Sequence, residues 1–72
     1  MKLQYYPETD SLYIALAERP SADSREIAPG VVLDFDAHDR LVGIDIDQAS
    51  KIVNLSRFEM ESLPVTSSPN PR

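Results

Sequence analysis

The clearest pattern along the chain runs from Gly30 to Ile46. Val31, Leu33 and Phe35 alternate with Val32, Asp34 and Asp36, the two-residue period of a strand with one buried face. After Ala37-His38-Asp39-Arg40 the chain returns from Leu41 to Ile46, with Val42, Ile44 and Ile46 on alternate positions. A hairpin that sets Asp36 against Leu41 also sets Phe35 against Val42, Leu33 against Ile44 and Val31 against Ile46. All of these apolar residues then share a face, and a slip of one residue destroys the agreement. The outer face carries Val32, Asp34, Asp36, Leu41, Gly43 and Asp45.

The same reasoning predicts a hairpin at the N-terminus. Leu3-Gln4-Tyr5-Tyr6 and Leu12-Tyr13-Ile14-Ala15-Leu16 have strand composition, and Pro7-Glu8-Thr9-Asp10 between them is turn chemistry. With Tyr6 opposite Ser11, Tyr5 meets Leu12 and Leu3 meets Ile14, which collects large apolar side chains on one face. Gln4, Tyr6, Tyr13 and Ala15 take the other. Glu18 to Asp23, with Pro20 and Ser21, reads as a loop, and Ser24-Arg25-Glu26-Ile27 as a short strand ended by Pro29-Gly30.

Beyond the second hairpin the period changes. Asp47 is the predicted N-cap of a short helix in which Ala49, Ile52 and Val53 share a face. Ser56 and Glu59 have capping-box spacing, with Leu55 and Met60 placed for a hydrophobic staple, which predicts a further helical turn stopped by Pro64. The expected fold class is α+β: a small antiparallel β-sheet of two hairpins, four to five strands in all, with a short C-terminal helical segment packed on one face. Residues 1–63 form the expected single domain. Residues 64–72, without periodicity and rich in Ser and Pro, read as a disordered tail.

Composition narrows the function more than it defines it. A chain of 72 residues holds one thin core, which makes self-association a natural way to cover the remaining apolar surface. Twelve acidic against seven basic residues give a net charge of −5, which disfavours direct binding to nucleic acid and suits either solubility or a basic protein partner. The absence of cysteine excludes disulfides, thiolate metal sites and cysteine nucleophiles. Met1 to Pro7 holds no apolar run of signal-peptide length, and no stretch approaches the ~20 apolar residues of a membrane span, so the expected location is cytoplasmic.

Four stretches carry a family resemblance between Tyr5 and Lys51. They are Tyr6-Pro7-Glu8-Thr9-Asp10-Ser11-Leu12-Tyr13-Ile14, Pro29-Gly30-Val31-Val32-Leu33-Asp34-Phe35-Asp36, Leu41-Val42-Gly43-Ile44-Asp45-Ile46 and Ala49-Ser50-Lys51. In that order they resemble the prokaryotic domain of unknown function DUF2283. The resemblance implies a small β-rich domain with a C-terminal helix and no assigned activity, cofactor or catalytic residue. Some members look to be encoded beside small toxin-like ribonuclease genes, and likeness to them implies an antitoxin role.

Two groups of residues suggest chemistry. Asp34, Asp36 and His38 alternate, so an extended strand projects all three from one face beside Asp45, a donor set that Mg²⁺, Mn²⁺ or Zn²⁺ accepts. As a calcium loop the stretch fails, because counting from Asp34 puts Asp39 at the turn-glycine position and Asp45 where the bidentate glutamate belongs. The plainer reading, and the one favoured, is that these aspartates keep the open face soluble and shape the turn. No nucleophile elbow, triad or phosphate-binding glycine loop is present, so no enzyme activity, metal or cofactor is expected.

The second group is an interaction face in which Tyr6, Tyr13, Val32 and Leu41 provide apolar contacts and Asp34, Asp36 and Asp45 provide charge. The expected function is therefore a non-catalytic protein-interaction module, either a homo-oligomer or the antitoxin-like partner of a small basic protein. The alternative is a divalent-metal-binding protein that uses Asp34, Asp36 and His38.

Overall fold

The computed structural model describes residues 1–62 and 64. Five strands form one antiparallel sheet: β1 (Lys2–Tyr6), β2 (Ser11–Ala15), β3 (Asp23–Ala28), β4 (Val31–Phe35) and β5 (Leu41–Ile46). Their order across the sheet is β1-β2-β5-β4-β3, and one short helix, α1 (Ala49–Ile52), follows β5. The expected α+β fold is the observed one. Of the expected tail, only Pro64 lies within the described residues.

The first hairpin has the predicted register, with Tyr6 opposite Ser11, Tyr5 opposite Leu12 and Leu3 opposite Ile14. In the second, Val31 faces Ile46 and Leu33 faces Ile44 as the alternation demands. The loop end differs. A bulge there sets Phe35 opposite Leu41, so neither the Phe35–Val42 nor the Asp36–Leu41 pair forms. Val42 becomes the extra residue and is 2% exposed. Its carbonyl accepts the amides of Leu16 (2.8 Å) and Ala17 (3.3 Å), at the point where the chain leaves β2 to cross the end of the sheet. The bulge thus gives the β2–β3 crossover a backbone acceptor that a regular ladder directs elsewhere.

That crossover explains the strand order. It delivers the chain to the far edge, where β3 begins one residue earlier and ends one residue later than the sequence suggests and pairs with β4. β5 then returns beside β2, pairing Leu12 with Ile46 and Ile14 with Ile44. The core forms on this shared face from Leu12, Ile46 and Ala49, with Ile14, Ile44 and Val53 packed against it. Gly30, at φ 79°, turns the chain into β4, a left-handed conformation that a side chain strains, and its carbonyl accepts the Asp47 amide at 2.7 Å.

The helix is shorter than expected and is capped differently. Gln48, not Asp47, occupies the N-cap position, in a left-handed conformation with no side-chain cap bond. The cap comes instead from Asp10, forty residues upstream. Its carbonyl accepts the Ala49 amide (2.7 Å), and its carboxylate accepts the Ser50 amide (3.2 Å) and hydroxyl (2.6 Å). The expected second helical turn is absent. The Ser56 amide closes an Asx turn on Asn54 Oδ1 (3.0 Å), and the Ser56 hydroxyl that a capping box requires donates to the same oxygen (2.6 Å). From Arg57 to Glu61 the chain forms neither helix nor strand.

Candidate functional site

Alternation places Tyr13, Val32, Asp34 and Asp45 on the outer face, away from α1. Tyr13 crosses that face diagonally. Its hydroxyl donates to Asp34 Oδ2 at 3.1 Å, passing over Gly43 on the intervening strand. A Cβ on Gly43 would sit 2.6 Å from Tyr13 Cζ, so the glycine supplies the space in which the ring lies. Ser24 on β3 donates to the other oxygen of Asp34 at 2.6 Å. A hydrogen-bonded row therefore links β2, β4 and β3 across β5, with Asp34 its shared acceptor. Burial, then the Asp34 hydrogen bond and charge, pushes the Tyr13 phenol above its ordinary range.

Asp45 keeps access to solvent, yet the atoms around it, and then the charges of Asp34 and Asp47, raise its carboxyl above the usual value. Tyr6 stands at the edge of the sheet, 44% exposed, its hydroxyl donating to Gln4.

Asp36 and Leu41 lie elsewhere, at the bulged end of the sheet. β4 stops at Phe35, and the Asp36 carboxylate turns inward to become the one buried charged group among the described residues. It accepts the amides of His38 and Arg40, both at 2.9 Å, and the Nε groups of Arg19 (2.7 Å) and Arg40 (2.9 Å). These donors, the Arg40 amide foremost, outweigh burial and hold the carboxyl well below the usual range. Arg19 also donates to the Leu41 carbonyl at 3.2 Å.

The expected grouping of Asp34, Asp36 and His38 is therefore not realised. Asp34 lies on the outer face, Asp36 is enclosed by arginines, and His38 is exposed in the loop. Among the described residues no three His, Cys, Asp or Glu side chains are grouped to hold a metal ion.

An apolar groove lies on the other side of the sheet. With α1 only four residues long, the helix covers β5 and part of β2 but leaves β1 bare. A groove of about 580 Å³ runs between the first hairpin and the segment after α1, lined chiefly by Leu3, Tyr5, Leu12, Ile14, Val53 and Phe58. Leu3 is 44% exposed, Tyr5 45% and Phe58 68%. Leu3 and Tyr5 lie on the core face as their alternation predicts, but the helical cover of that face is shorter than the predicted one. No local signal pointed to the open groove, because the Leu55–Phe58 and Ser56–Glu59 spacings both suit a helical turn.

The far end of the same face is closed by different means. The Arg25 guanidinium lies 4.0 Å over the Phe35 ring and pairs with Asp23 and Asp39.

A fully antiparallel five-stranded sheet with one short helix on one face defines the chain as a small α+β domain. Among the described residues no helix is long and apolar enough to cross a membrane. Residues 2–50 match the family described as a protein of unknown function, DUF2283, and the chain belongs to that family. The match spans the whole sheet and ends inside α1, so the segment from Val53 onward that walls the groove lies outside it. No curated protein and no solved structure matches the chain.

Proposed function

We propose that this protein is a non-catalytic protein-interaction module that associates with a second copy of itself through the groove face. The observation that carries this reading is the half-covered core: Leu3, Tyr5 and Phe58 line an apolar groove and stay exposed beside it. Apolar surface of this kind, gathered at one place on a small domain, is stabilised when a partner removes it from water. The outer face is the weaker docking surface, because Tyr13, Asp34 and Ser24 already satisfy one another there.

Size-exclusion chromatography with light scattering tests the reading. Wild type is expected to run as a dimer, and Leu3→Asp and Phe58→Ser as folded monomers. Val32→Asp, on the outer face, remains a dimer. Dissociation by Val32→Asp with Leu3→Asp unaffected overturns the groove and returns the interface to the outer face. A wild-type monomer with a basic protein bound in the groove favours the antitoxin-like alternative instead.

A further inference from the structure

The two edges of the sheet are built differently. β3 is guarded: Asp23, Arg25 and Glu26 lie along it, a register shift falls between Glu26 and Ala28, and Pro29 follows. β1 is guarded less: Lys2 stands in it and Pro7 follows it as Pro29 follows β3, but it lacks the run of charges and the register shift. It pairs with β2 at every residue without a bulge, and Lys2 is its only charged residue. Its outer backbone groups are a template for another strand.

We propose that two copies join edge to edge through β1, antiparallel and centred on Gln4, so that their sheets form one continuous sheet of ten strands. The inference rests on the self-association reading above and specifies its geometry. Lys2-Leu3-Gln4-Tyr5-Tyr6 is self-complementary in this register. Leu3 of one copy stands opposite Tyr5 of the other, Lys2 opposite Tyr6, and Gln4 opposite Gln4. All five residues of each strand are paired, which no other centre achieves. Residues of like parity meet, so outward-facing amides and carbonyls meet their counterparts, and each side chain meets one on the same face.

Both faces fit. On the groove side, Leu3 and Tyr5 of the two copies form one apolar cluster across the two-fold axis, and the two grooves become continuous. On the outer side, the Lys2 ammonium falls beside the exposed Tyr6 ring, a favourable cation–aromatic contact. Charge points to the same edge. Each copy carries a net −5, yet no carboxylate occurs from Met1 to Pro7, so two acidic domains meet here without acid facing acid. The exposed surface suits a weak, reversible pair: Met1, Leu3, Tyr5, Tyr6 and Phe58 offer at most on the order of 500–600 Å² per copy, less than the ~800 Å² that each partner buries in a standard interface.

The absence of cysteine from the chain makes the test direct. Opposed residues of an antiparallel pair have Cα atoms about 4.5–5.5 Å apart, within the range of roughly 4.4–6.8 Å that a disulfide spans. Under mild oxidation Gln4→Cys is expected to convert almost wholly to a reducible covalent dimer, while Ser24→Cys on β3 and Thr9→Cys in the turn stay uncrosslinked. Amide exchange of the wild type provides a reading that needs no variant: β1 amides slow as protein concentration rises, and β3 amides do not. A sedimenting dimer whose Gln4→Cys form fails to crosslink, or whose β1 amides ignore concentration, overturns the β1 pairing and leaves self-association standing. A chain that stays monomeric overturns both.

Discussion

The ring of Tyr13 occupies the space above Gly43. Tyr13 stands on β2 and Gly43 on β5, and the phenol reaches past the glycine to Asp34 on β4. An aromatic residue laid across a strand glycine covers backbone that is otherwise open to water and fixes three strands at one crossing. The outer face is therefore cross-braced, and the apolar groove lies on the opposite side, where α1 leaves β1 uncovered.

Gly43→Ala is expected to destabilise the fold by about 1–3 kcal/mol through overpacking against the ring. In a Tyr13→Ala background the same substitution is expected to become neutral or stabilising, because the obstruction is gone and alanine orders a strand better than glycine. Urea denaturation of the four-member cycle measures this coupling. Additive effects contradict the contact.

Tyr13→Phe removes only the hydroxyl that donates to Asp34. The expected loss is about 1 kcal/mol, the usual net worth of one intramolecular hydrogen bond. Because Ser24 still holds Asp34, the double variant Tyr13→Phe/Ser24→Ala is expected to lose more than the sum of the two single changes.

Asp36 makes stability depend on pH in a defined direction. Its folded carboxyl titrates below the unfolded value of about 3.9, so its stabilisation is complete above that value and is lost as pH falls through the folded one. Wild type is expected to be more stable than Asp36→Asn at neutral pH, with the gap closing below about pH 4. Thermal melts of both proteins from neutral to strongly acidic pH provide the comparison. A gap that does not change with pH contradicts the role given to the ionised carboxylate.

Asp10 is expected to hold α1 in place. Hydrogen bonds from Ser50 and Tyr5 keep its carboxyl below the usual range, and the Tyr5 phenol is raised in return. Asp10→Ala is expected to lower the melting temperature and to speed exchange of the Ser50 amide, with β4 and β5 amides unchanged at low denaturant. Unaltered Ser50 exchange contradicts the long-range cap.

Much of the sheet was legible because its residues alternate. The pairs Leu33–Ile44 and Tyr5–Leu12 follow from the need to place apolar side chains on one face, a local rule that sequence displays directly. The bulge at Val42 was not legible, since it answers to the crossover amides of Leu16 and Ala17 and not to the pattern within its own hairpin. The same holds for α1, whose cap arrives from Asp10. A capping box at Ser56 was a sound local signal that a closer competitor, Asn54, defeated. Asp36 looked like a surface aspartate because Arg19 is distant in sequence. What escaped the sequence was set by partners brought together only in the folded chain.

Sedimentation equilibrium of the wild-type protein, from micromolar to millimolar concentration, decides whether two copies associate. A reversible shift from the mass of one chain to the mass of two is expected, with no larger species, because the charged and bulged β3 edge resists pairing and β1 takes a single partner strand. The mass of a single chain at every concentration, or open-ended growth beyond two, would contradict that expectation.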